Sequence, residues 1–105
     1  MKKNYTINCE WVGEANSENI KKMAKFMVWY CRPCTYKDDE VTALAGAQPG
    51  IDGKPYTMWV FIDGKSYNYT LNSKRVSDKM GKEIADNILK AVDEYKADKE
   101  CHRNN

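Results

Sequence analysis

The amino-acid sequence predicts one small α+β domain over residues 1–105: an antiparallel sheet, built from an N-terminal strand and a β-hairpin, packed with two main helices in the order β-α-(short α)-β-β-α. Three observations predict it. Residues 5–12 alternate apolar and polar side chains, as a half-buried strand does. Residues 56–71 alternate on both sides of Asp63-Gly64, a favoured two-residue hairpin turn. Residues 77–95 repeat their apolar positions at helical spacing instead. At 105 residues the length matches a single domain with a modest core.

Each element follows from local chemistry. In the first strand Tyr5, Ile7, Cys9 and Trp11 share one face and Thr6, Asn8 and Glu10 the other. Ser17 is a good N-cap with Glu18 in the first turn, and Ile20, Met23, Ala24, Met27, Val28 and Cys31 follow at helical spacing. Pro33 ends that helix near Cys31. The continuous run Phe26–Cys31 also fits a buried strand; the spacing favours the helix. Residues 35–54 are the least regular. Asp38 or Asp39 is expected to cap a short helix through Leu44, stopped by Gly46 and followed by a Gly/Pro loop to Pro55.

The hairpin has a definite expected register, with Ile62 facing Lys65, Val60 facing Tyr67, Met58 facing Tyr69 and Tyr56 facing Leu71. One face is then Tyr56, Met58, Val60, Tyr67, Tyr69 and Leu71, a core face. Trp59 and Phe61 fall on the other, among Thr, Ser and Asn. Ile51-Asp52-Gly53-Lys54 echoes Ile62-Asp63-Gly64-Lys65, which reads as two turns of similar chemistry. Ser77 caps the last helix, whose stripe is Met80, Ile84, Ile88, Ala91, Val92 and Tyr95.

Seventeen basic and fifteen acidic residues give a net charge of +2. That balance argues against a dedicated nucleic-acid binder and against an acidic mimic of DNA. No run approaches the ~20 apolar residues of a membrane helix. The N-terminus lacks an apolar stretch of signal-peptide length, so a cytoplasmic location is expected.

The chain has four cysteines, Cys9, Cys31, Cys34 and Cys101, and one histidine, His102. Cys31-Arg32-Pro33-Cys34 is a C-x-x-C knuckle, whose spacing lets two thiolates meet one tetrahedral zinc ion at ~2.3 Å each. A cytoplasmic protein does not normally keep structural disulfides. The expectation is therefore a structural zinc held by four of Cys9, Cys31, Cys34, Cys101 and His102. His102 lies eighteen residues, about five helical turns, beyond Ile84 and so returns to the core stripe, with Cys101 at its edge. Cys9 also reads as a small buried hydrophobe. The knuckle is similar to the thioredoxin active-site motif, with Cys31 as nucleophile and Cys34 as resolving thiol. Against this, only about twenty residues separate Cys34 from Pro55, too few for the strand and helix that fold needs there.

No histidine sits where a general base is expected and no phosphate-binding loop has the right spacing, so the chain is read as a non-enzyme. Trp59 and Phe61 on the hairpin, with Trp29 and Tyr30 off the main stripe of the first helix, are the candidate partner-binding residues. The alternative for Trp59 and Phe61 is a cover formed by residues 36–54. Small, near-neutral, aromatic-rich and without catalytic motifs, the chain resembles in general character the anti-CRISPR proteins of the type II-A kind. That resemblance implies a phage-encoded inhibitor that binds a bacterial CRISPR effector nuclease and blocks its engagement with DNA. A thiol oxidoreductase and a small zinc-bearing nucleic-acid module, the latter on scattered residues such as Lys21, Lys25, Arg32 and Arg75, are the alternatives.

Overall fold

In a computed structural model the described residues are 9–11, 24–30 and 32–103. They form one five-stranded sheet in the order β1 (Cys9–Trp11), β2 (Cys34–Lys37), β3 (Thr42–Gln48), β4 (Thr57–Ile62), β5 (Lys65–Thr70). β1 runs parallel to β2; every other pair is antiparallel. A π-helical turn, Lys25–Trp29, bridges β1 and β2, and one long helix, α1 (Asp78–Arg103), follows β5. The α+β class stands, with a different order: β-α-β-β-β-β-α.

The hairpin has the expected register. Val60 pairs with Tyr67, Met58 with Tyr69 and Ile62 with Lys65, and Leu71 N–H donates to the Tyr56 carbonyl. Asp63 and Gly64 both have positive φ, 47° and 84°, which a type I′ turn requires. Asp52 and Gly53 repeat that backbone with φ of 54° and 80°, and Lys54 N–H closes the turn on the Ile51 carbonyl. The sequence echo is thus two turns of one geometry.

At the last helix Ser77 Oγ accepts from Met80 N–H at 3.2 Å, the predicted cap. Met80, Ile84, Ile88, Ala91 and Val92 are buried against the sheet and Tyr95 partly so. The loop before α1 is held by Glu83, whose carboxylate accepts from Asn72 N–H at 2.6 Å, Ser73 N–H at 2.9 Å and the Ser73 hydroxyl.

Two readings need correction or delimiting. Residues 38–44 are not a short helix. Asp38 does act as a capping acceptor, with Glu40 and Val41 N–H both donating to its Oδ1 at 2.8 Å. What it caps is the β2–β3 turn, which Asp38 N–H closes on the Val41 carbonyl at 3.0 Å. Asx chemistry serves a turn as readily as a helix start, and pairing with β2 and β4 decides for strand. Ala43 and Ala45 then face the core, where their small side chains let the π turn approach. The first predicted helix is described only over Ala24–Trp29. It is helical there, not a strand, with Tyr30 N–H donating to the Lys25 carbonyl at 3.1 Å and Met27 and Val28 buried. Residues 12–23 and most of the first strand's predicted alternation lie outside the described residues.

Candidate functional site

Among the described residues the sheet has one covered face and one open face. Register places Cys34, Tyr36, Ala43, Ala45, Met58, Val60 and Tyr67 on the covered side, and all are buried beneath α1 and the π turn. The alternate residues face outward. β2 gives Thr35 and Lys37, and β3 gives Thr42, Leu44, Gly46 and Gln48. β4 gives Thr57, Trp59 and Phe61, and β5 gives Ser66, Asn68 and Thr70.

An apolar cluster lies at the centre of this outer face. Leu44 pairs with Phe61 across β3 and β4, and Gly46 pairs with Trp59. Phe61 is 45% exposed and Leu44 38%. Trp59 is half-buried because its indole lies flat on Gly46: a Cβ added there would sit 2.4 Å from Cζ2 and 2.6 Å from Cε2. Only glycine allows so close an approach, an aromatic covering a bare backbone across a strand pair. A shallow depression of about 310 Å³ opens beside the indole, lined by Gln48, Thr57, Asn68 and Thr70 among others. The segment expected as an alternative cover does not lie over Trp59 or Phe61. Its residues 42–48 run alongside as β3 and extend the same face.

Trp29 and Tyr30 are exposed too, at 60% and 59%, but on the helical layer. Trp29 stands beside Val76, Ser77 and Asp78 at the start of α1, with Lys25 Nζ 5.7 Å from its ring centroid. The four aromatics therefore divide between two surfaces. Leu44 and Gly46 escaped sequence reasoning because the short-helix reading hid their alternation. Read as a strand, Thr42 to Gln48 puts alanine on one face and these two residues on the other.

The cysteines divide as well. Strand register sets Cys9 level with Cys34, which is fully buried and three residues after Cys31. Cys101 and His102 belong to the last turn of α1. Lys96 of that helix pairs with Asp38, past the far end of β2 from Cys34, and four strand residues span ~13 Å. Cys101 lies a further ~7.5 Å along the axis. Among the described residues no group of three or more His, Cys, Asp or Glu gathers as a metal site. Cys31 and the side chains of Cys9, Cys101 and His102 lie outside the described residues.

Ionisable groups cluster where α1 meets two turns of the sheet. Lys96 Nζ lies 2.9 Å from Asp38 Oδ2 and 3.5 Å from Glu40, and the Tyr36 hydroxyl donates to Asp38 at 2.9 Å. At the β4–β5 turn the Tyr95 hydroxyl donates to Asp63 at 2.9 Å, and Lys65 pairs with Asp98 at 3.0 Å. Burial pushes the Asp38 carboxyl up, but hydrogen bonds from Lys96, Val41 N–H, Glu40 N–H and Tyr36 outweigh it and hold it well below the usual carboxylate range. The bond to Asp38 raises Lys96 in turn. Each partner here is engaged in holding the helix to a turn, so the cluster is a fastening.

Among the described residues no helix is long and apolar enough to cross a membrane. No family model, curated protein or solved structure matches this chain.

Proposed function

We propose that the protein is a non-catalytic binding module that docks on another protein through the outer face of its sheet. One observation carries this reading. The face holds Leu44, Trp59 and Phe61 in one patch and is nearly free of charge, whereas a solvated protein face is normally charged. Depletion of charge around buried aromatics marks the centres of protein interfaces. The half-buried indole, already fixed on Gly46, loses little freedom on docking.

The resemblance to type II-A anti-CRISPR proteins names the partner to test: a CRISPR effector nuclease in the cytoplasm of a bacterial host, inhibited by a phage-encoded protein. A net charge of +2 fits docking on a protein surface better than mimicry of DNA. Zinc is proposed as a structural element. The strand register sets Cys9 level with Cys34, and the C-x-x-C spacing adds Cys31, so these are the ligands to test first, ahead of Cys101 and His102. Metal analysis of protein purified without added zinc, beside melts with chelator, tests that part: one equivalent of zinc and a lower Tm with chelator are expected.

The test of function measures binding to, and inhibition of, a type II-A effector nuclease. Phe61→Ala is expected to weaken binding by ~2 kcal/mol, roughly thirtyfold, with little change in Tm, as hot-spot truncations do. Wild-type protein that neither binds nor inhibits the nuclease would overturn the choice of partner. Binding that ignores Phe61→Ala and Leu44→Ala alike would overturn the choice of face.

A further inference from the structure

We propose that the outer face of the sheet is also where two copies of this chain meet, sheet on sheet, about a twofold axis near Phe61. A twofold contact sets a patch against itself, so each group must suit its own kind. Lysine offers only donors and an ionised carboxylate only acceptors, and each repels its own copy. Threonine, serine, asparagine and glutamine both donate and accept, so they can pair with themselves. The twelve outward positions of β2 to β5 follow this rule. Seven are threonine, serine, asparagine or glutamine, four are Leu44, Trp59, Phe61 and the Gly46 beneath the indole, and Lys37 is the one charge. Lys37 sits at the end of β2, away from the axis. Charged residues make up 30% of the chain, so their near absence here is a property of this face.

Size sets the strength. Four strands ~4.8 Å apart and about six residues long frame roughly 400 Å² in projection. That is about half of the ~800 Å² per partner of a standard interface, so the dimer is weak and concentration-dependent. Two twisted sheets pack face to face at ~10 Å, a spacing that interdigitated Leu44, Trp59 and Phe61 side chains fill. A foreign partner using the same aromatics would compete with this contact. The inference does not depend on such a partner, since the free protein alone tests it.

The experiment is sedimentation equilibrium on the full chain from about 10 μM to about 1 mM, the range in which a small interface associates. The weight-average mass is expected to rise from 12.1 kDa towards twice that value. Phe61→Glu, and separately Asn68→Lys at an exposed polar site, are expected to hold the monomer mass across the range. Circular dichroism and thermal melts confirm that each variant folds; if Phe61→Glu does not, Asn68→Lys decides. A wild-type monomer at the highest concentration overturns the proposal. So does a dimer whose mass neither variant changes.

Discussion

Gly46→Ala should destabilise the protein when Trp59 is present and stabilise it when Trp59 is absent. The added methyl would lie 2.4, 2.6 and 2.9 Å from three indole atoms, well inside contact distance, so the ring must lift. Trp buries 150–250 Å² in a full core; lifting a half-buried indole exposes roughly 50 Å² of it, a loss of about 1.3 kcal/mol at ~25 cal/mol per Å². Alanine is better than glycine inside a strand by about 0.5 kcal/mol or slightly more. The net cost is therefore about 1 kcal/mol. With Trp59→Ala in place the ring is gone, and only the gain of about 0.5 kcal/mol remains. Urea melts on the four proteins of this double-mutant cycle measure the change of sign. The NMR signature is an upfield shift of the Gly46 Hα protons under the indole, lost in Trp59→Ala. Equal effects of Gly46→Ala in the two backgrounds would refute the stacking.

The remaining predictions concern the frame around the site. Asp38 and Glu83 both have folded-state pKa values depressed below their unfolded values, because hydrogen bonds to the carboxylates outweigh burial. Their stabilisation is complete above the unfolded values of ~4 and is lost as pH falls through that range towards the folded ones. The urea midpoint should therefore drop between about pH 5 and pH 3, and Asp38→Asn should lower the midpoint at pH 7 while flattening that acid limb. An unchanged acid limb in Asp38→Asn would remove Asp38 from the account. A Cβ added at Gly64 meets no atom within 4 Å, so the main cost of Gly64→Val is backbone strain at φ 84°, about 1–2 kcal/mol; a neutral melt would contradict the type I′ turn. The buried Tyr67 hydroxyl finds no hydrogen-bond partner among the described residues, so Tyr67→Phe should be neutral or raise stability by up to ~1 kcal/mol, and a marked loss in the melt would show that the hydroxyl is bonded.

The hairpin and α1 were legible because their signals are local. Asp63-Gly64 fixes a register that the alternation on both sides repeats, and Ser77 caps a stripe that keeps helical phase for four turns. β2 and β3 were not legible, for a physical reason. Asp38 offers the same acceptor to a helix start and to a tight turn, and Ala43, Ala45 and Ala47 favour helix intrinsically. The choice is made by β4 and by the π turn, partners remote in sequence. The parallel pairing that brings Cys9 level with Cys34 is equally non-local, and no spacing rule within 31–34 contains it. Of the candidate surface, Trp59 and Phe61 were legible from alternation. Their neighbours Leu44 and Gly46 were hidden with β3, and the separation of Trp29 and Tyr30 onto the helical layer needed the crossover between β1 and β2.

Glycine in the central strand of a sheet, an indole on the solvent side and a face with a single charge each break a rule that soluble domains usually follow. Together they are consistent. Gly46 weakens β3 by its missing side chain, and the Trp59 indole restores the lost cover from across the strand pair. Once flat, that ring cannot turn into the core, whose side of β4 is already filled by Met58, Val60 and Ile62. Its outer surface stays available, with Phe61 two residues on and Leu44 opposite. A core-forming role would have placed these side chains with Val60 on the covered face, and a purely solvated role would have replaced them with charge. Departures from local rules that support one another at one place mark function more often than defect, and here they coincide on the face proposed to dock a partner.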